Sequence, residues 1–145
     1  MKKQERVFFV QKNHEGDFET ESIWCTRVDN GFQIDNIPIV AKRISLGDII
    51  TAEYDNDDKV YYFDDFVSVS GNTTVRLFFK DACLMENVRQ ILNKFGCESE
   101  VLVQRKIVAV NIPQNVEYKN IKHFLDKGEN ENKWVYEESC LCHEY

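Results

Sequence analysis

The chain has 145 residues, with 18 basic and 25 acidic side chains and a formal charge of −7. Its length suits one domain or two small ones sharing a core, and 43% hydrophobic with 12% aromatic residues excludes a disordered polymer. The acidic balance disfavours nucleic acid as a partner, because the few basic pairs do not cluster, and no apolar run approaches the ~20 residues that cross a bilayer.

In chain order, residues 6–11 predict a first strand, with Val7 to Val10 all apolar. After a charged turn at 12–17, residues 18–28 form the next strand. Ile23, Cys25 and Arg27 share one face there, and Ser22, Trp24 and Thr26 the other. Asp29-Asn30-Gly31 is a turn, since Asn and Gly accept positive φ, and residues 32–34 return antiparallel. Pro38 has no donor and breaks the ladder, after which 39–41 is expected to resume an extended path. Ser45-Leu46-Gly47-Asp48 launches a strand over 49–54, Asp55 to Asp58 is a polar turn, and 60–70 is a long strand. Regularly spaced short strands without a helix predict a small barrel or a strongly bent sheet over residues 1–71.

From residue 73 the pattern changes. Residues 75–79 are apolar and β-rich. Leu84, Val88, Ile91, Leu92 and Phe95 make a helical stripe over 81–95, with Asp81 as N-cap and Gly96 just beyond its end. Residues 101–104 and 107–112 predict two strands around an Arg105-Lys106 turn. Ile121, Phe124 and Leu125 mark a second helix over 116–126, closed near Gly128, and 134–136 is a last strand. Strand, helix, strand, strand, helix, strand is the split pattern of the ferredoxin-like sandwich. The expected fold is therefore α+β, a β-rich half over 1–71 packed on a ferredoxin-like half over 72–145 as one compact unit.

No catalytic constellation emerges. There is no GxGxxG, Walker or GxSxG pattern. Cys140-Leu141-Cys142-His143 supplies at most three zinc ligands where structural sites use four, so a frayed, reactive tail is expected instead of a metal site. Asp55-Asn56-Asp57-Asp58 lacks the Gly and the bidentate Glu of a calcium loop. His123 is expected to be partly exposed on its helix and His14 to be solvated. Trp24, Phe32, Tyr61, Tyr62 and Trp134 could build a base-stacking groove, but core packing accounts better for them. Asp64-Asp65 and Glu137-Glu138 each set one carboxylate on either face of a strand, with Arg76 as counter-ion for an inward one. The charged start and the short apolar run at 7–10 predict no export signal. Five Cys without one fit free thiols in a reducing cytoplasm.

Several short stretches, in order, resemble a bacterial family known as domain of unknown function 4265. They are Glu21-Ser22-Ile23-Trp24, Asn36-Ile37-Pro38, Ser45-Leu46-Gly47-Asp48, Ser70-Gly71-Asn72-Thr73-Thr74 with Arg76, Gly96, Ala109 with Ile112-Pro113, and Trp134-Val135-Tyr136-Glu137-Glu138. The resemblance implies a bacterial, intracellular protein and supplies no catalytic residues.

These observations lead to an expected non-enzymatic protein-binding module without cofactor or metal, in the form of an immunity-type protein that covers the basic active site of a toxin. Its partner would present a basic surface, because acidic side chains steer to basic clefts. The rival expectation is a small-ligand site or enzyme where the halves meet, lined by Trp24, Asp48, Arg76, Glu137 and Glu138, with Trp134 as a further binding residue. A nucleic-acid-binding module is the third.

Overall fold

A computed structural model describes residues 3–144. Met1, Lys2 and Tyr145, and with them the first residues of the charged start, lie outside the described residues. The fold is α+β, with two sheets and two α-helices.

The first sheet is a closed barrel of β1 (Gln4–Lys12), β2 (Phe18–Val28), β3 (Gly31–Ile34), β4 (Ile49–Asp55) and β5 (Val60–Ser68). Side chains alternate across a strand, so Val7, Phe9, Ile23, Cys25, Phe32, Ile34 and Ile50 fall on one face and fill the interior. Neighbours in chain order pair antiparallel. β5 then closes on β1 in parallel through Val7 with Tyr61 and Phe8 with Tyr62, which leaves no open sheet edge. Trp24 is left on the outside, 43% exposed, with the Arg6 guanidinium 5.2 Å from its ring centre.

The Asp64-Asp65 expectation is corrected here. Thr51 pairs with Asp65 but Ala52 pairs with Phe63, so Asp64 is the extra residue of a β-bulge. The bulge breaks the alternation, and both carboxylates face water. Residues 39–41 form no strand either. The Glu21 carboxylate instead accepts the amides of Ile39, Val40 and Ala41 at 2.9, 2.9 and 2.8 Å. These bonds supply the partners that a ladder would have given.

The second sheet contains β6 (Thr73–Phe79), β7 (Glu98–Leu102), β8 (Ile107–Ile112) and β9 (Trp134–Cys140). Its order is β7-β8-β6-β9, with every neighbour antiparallel. Val75, Leu77, Val108 and Val110 pack against Val88 and Leu92 of α1 (Met85–Lys94) and Ile121 and Leu125 of α2 (Lys119–Asn130). The opposite face meets the barrel side of the molecule. There Arg76 Nη1 donates to the carbonyls of Ile39 and Val40, and Ser45 and Thr74 share a hydroxyl bond of 2.6 Å. β8 lies between these layers and is buried at all six positions, as expected for a strand covered on both faces.

Both helices start later than their patterns suggested. A 3-10 turn over Ala82–Leu84 precedes α1, and Asp81 caps it by accepting the Cys83 amide at 2.9 Å. Gly96 sits at φ +92°, with its amide on Asn93 O and the Cys97 amide on Leu92 O. That pair of bonds is a Schellman closure, and it explains why glycine stands there. α2 does not stop at Gly128 but runs through it. The glycine lies inside the helix because a side chain there would meet the Trp134 ring.

The expected frayed tail is also overturned. Thr73 Oγ1 accepts the amides of Cys142 at 2.9 Å and His143 at 3.1 Å. The His143 ring spans from Thr73 Oγ1 at 2.6 Å to Pro113 O at 2.9 Å and lies against Tyr118. The final strand accordingly runs to Cys140 instead of stopping at 136.

Candidate protein-binding face

Residues 53–65 hold six carboxylates, Glu53, Asp55, Asp57, Asp58, Asp64 and Asp65, against one cation, Lys59. β4 and β5 fold them into one hairpin. Asp55 shapes its turn: Oδ1 accepts the amides of Asp57 and Asp58, both at 2.9 Å, and the backbone carbonyl accepts Lys59 N at 2.7 Å. Lys59 takes φ +57° to complete the reversal. The Tyr62 hydroxyl donates to Asp58 Oδ2 at 2.7 Å, and this hydrogen bond raises the Tyr62 pKa. In the bulge, Thr51 Oγ1 donates to Asp64 Oδ2 at 3.0 Å and accepts the Asp65 amide at 3.1 Å.

Apolar surface lies among these charges. Tyr54 is 50% exposed, Phe66 43%, Val67 41% and Val69 68%. Around the barrel, Trp24, Phe8, Tyr54 and Tyr61 line a shallow concavity of about 420 Å³. The charged groups that line the concavity are Glu5, Arg6 and Lys59, and the carboxylates of the hairpin lie beside it.

The six residues singled out from sequence do not converge. Trp24 lines the outer concavity. Arg76, 5% exposed, and Glu137 line a different cavity, facing the barrel, where they form the expected ion pair. Asp48 is buried as a brace: Oδ2 accepts the Ser45 amide at 2.9 Å and Oδ1 the Ser70 amide at 2.8 Å. Trp134 is buried under α2, its indole donating to Leu125 O at 3.0 Å. Glu137 and Glu138 do take opposite faces of β9. Glu138 points to the helices, accepting the Tyr118 hydroxyl at 2.7 Å with Lys122 Nζ at 3.7 Å. Burial pulls the Lys122 pKa down, but the Tyr136 hydroxyl and the Glu138 and Asp126 carboxylates outweigh it and the net shift is upward.

The base-stacking groove is not built. Phe32, inside the barrel, meets the partly buried Tyr61 at a tilt with ring centres 5.1 Å apart, and Trp134 packs with Phe79 and Phe124 beneath a helix. His123 is exposed on α2, as expected. Among the described residues no group of three or more His, Cys, Asp or Glu could hold a metal ion. A cavity of about 620 Å³ lies between α1 and the loop at Asn36. One of its lining cations, Arg89, is already held by Ser99 Oγ at 2.9 Å and Glu86 at 3.2 Å.

The family model described as domain of unknown function, DUF4265, matches residues 21–136. The chain belongs to the DUF4265 family. The matched span begins at Glu21, the carboxylate that holds the 39–41 loop, and ends at Tyr136 of β9, so it takes in both sheets. No curated protein matches this DUF4265 chain. A solved structure described as a novel crystal structure of a hypothetical protein from Neisseria gonorrhoeae has a TM-score of 0.80 and 23% sequence identity, over 99% of this chain and 98% of the other. That likeness is one of fold. No helix among the described residues of this DUF4265 member is long and apolar enough to cross a membrane.

The acidic hairpin was visible in the sequence as two separate acidic runs, each read as a turn or as a strand pair. The missing signal was their density. Thirteen residues carry a net charge of −5 out of the −7 of the whole chain. Exposure of Phe66 was not legible, because the bulges on either side of it break the alternation of β5.

Proposed function

We propose that this protein is a non-enzymatic protein-binding module whose contact face is the β4–β5 hairpin with the adjoining Trp24 concavity. The observation that carries the proposal is the concentration of six carboxylates and several exposed apolar side chains on one hairpin. A partner of complementary chemistry has a basic cleft or patch. An immunity-type role, in which the hairpin covers the basic active site of a toxin, is the specific form. Five described cysteines without a disulfide support a cytoplasmic setting.

The ferredoxin-like reading of the second half is supported by the order β7-β8-β6-β9 and by two helices packed together on that sheet. The division into residues 1–71 and 72–145 as one compact unit draws support from the bonds of Arg76 to Val40 O, Thr74 to Ser45 and Asn72 to Leu46 O that cross between the halves.

The test is co-expression with the product of a neighbouring reading frame in the native host, followed by light scattering. A one-to-one complex with a basic protein, lost in Asp64→Lys/Asp65→Lys, is the expected result. No retained partner, or a complex indifferent to that double change, would count against the proposal.

A further inference from the structure

A second site lies where the barrel meets the sheet, away from the hairpin. The end of the β1–β2 hairpin leans over the open face of β6 and encloses a cavity of about 80 Å³. That is more than twice the roughly 30 Å³ that one water occupies in the liquid. Phe78, Ile107 and Val40 form apolar lining. Four cations and two carboxylates complete the walls, an inversion of the −7 charge of the whole chain.

The two carboxylates are already engaged. Glu137 pairs with Arg76, and Glu19 accepts Arg105 Nη1 at 2.7 Å. Lys12 and Lys42 are the surplus, and Lys12 stands 5.5 Å over the Phe18 ring and forms no salt bridge among the described residues. His14 adds a third donor or cation at the rim. Arg76 forms part of the wall. Its guanidinium is buried, Nη1 is spent on the Ile39 and Val40 carbonyls at 2.8 and 2.7 Å, Nη2 meets Glu137, and Nε donates to no acceptor among the described residues. A buried N–H without a partner is costly, and buried polar groups in native proteins nearly always have one.

We propose that this cavity binds a small oxyanionic group, a phosphate or a carboxylate, between Lys12 and Lys42 beside the Arg76 guanidinium. Charge-assisted hydrogen bonds from guanidinium and ammonium to such an oxygen are among the strongest a protein makes. The apolar lining lowers the local dielectric and strengthens them further. The group belongs to a small molecule or to a single exposed residue of a partner, because the volume admits only a few heavy atoms.

The test uses inorganic phosphate and malonate as probes in parallel calorimetric titrations of the full chain at low ionic strength. Lys12 and Lys42 are exposed, so Lys12→Gln/Lys42→Gln is the informative variant. Unchanged thermal unfolding without probe verifies its fold. Saturable binding of either probe, weakened roughly tenfold or more in the variant, is the expected result, and the tighter probe identifies the oxyanion. No saturation by either probe on the order of 10 mM, or equal affinity in the variant, would overturn the proposal.

Discussion

The Trp134 ring lies directly on the backbone of Gly128, filling the space that a side chain on α2 would need. Glycine inside a helix normally costs about 1 kcal/mol relative to alanine, so this one is kept for packing. Gly128→Ala should therefore destabilise the protein despite its better helix propensity, by roughly 2 kcal/mol net. Urea denaturation measures it. A neutral or stabilising outcome would mean that the ring gives way without cost.

Arg76 and Glu137 form a pair between the sheet and the barrel side, with Arg76 nearly fully buried. Removing one partner strands the other charge, so Arg76→Met should cost roughly 3 kcal/mol. Glu137→Met leaves the nearly fully buried Arg76 guanidinium without its carboxylate and should cost at least as much, because the Glu137 carboxylate left by Arg76→Met is a third exposed and water can reach it. The double Met variant should be more stable than Arg76→Met alone if the penalty is that of an unpaired charge. A double-mutant cycle in denaturant separates this from simple additivity.

Burial pushes the Cys25 thiol up to about 12, with the Asp35 charge adding to it, and burial alone pushes Cys97 up to about 11. Both folded pKa values are raised, so the native state holds these protons longer than the unfolded chain. Their contribution is complete below the ordinary thiol range and is lost as pH rises toward 11 and 12. Stability measured across that alkaline window should fall, and Cys25→Ala should flatten the slope. In the native state a thiol reagent should modify exposed Cys83 well before Cys25 and Cys97.

Much of the architecture was legible because it rests on period and punctuation. The shared face of Ile23 and Cys25 marks the barrel interior, while the unbroken apolar run Val7 to Val10 does not say which of its residues face inward, and Leu84 through Phe95 with Gly96 mark the first helix. The Gly128 stop was misread because a helix interior glycine reports on a distant ring, which no local pattern shows. Residues 39–41 were misread because Glu21, eighteen positions earlier, satisfies their amides. The six binding residues scattered for the same reason: Trp24, Arg76 and Trp134 line three separate cavities, and side-chain type alone does not say which face of which sheet a residue meets.

Thr73 Oγ1 holds the last residues in place through two amides. Thr73→Val removes that acceptor and should release residues 141–144 while the barrel stays intact. Hydrogen exchange of the Cys142 and His143 amides reads this directly. Protection should drop by a factor of about five to ten, the equivalent of one hydrogen bond of ~1 kcal/mol. Unchanged protection would show that His143 and Pro113 suffice.

The central claim is that the acidic β4–β5 hairpin is where a partner docks. The most direct measurement is hydrogen exchange of the protein alone and in complex with the basic partner retained on co-expression. Protection gained across residues 53–69 and around Trp24, weakening as salt is raised, is the predicted result. Protection confined to α1, α2 or β7, with the hairpin unchanged, would contradict it.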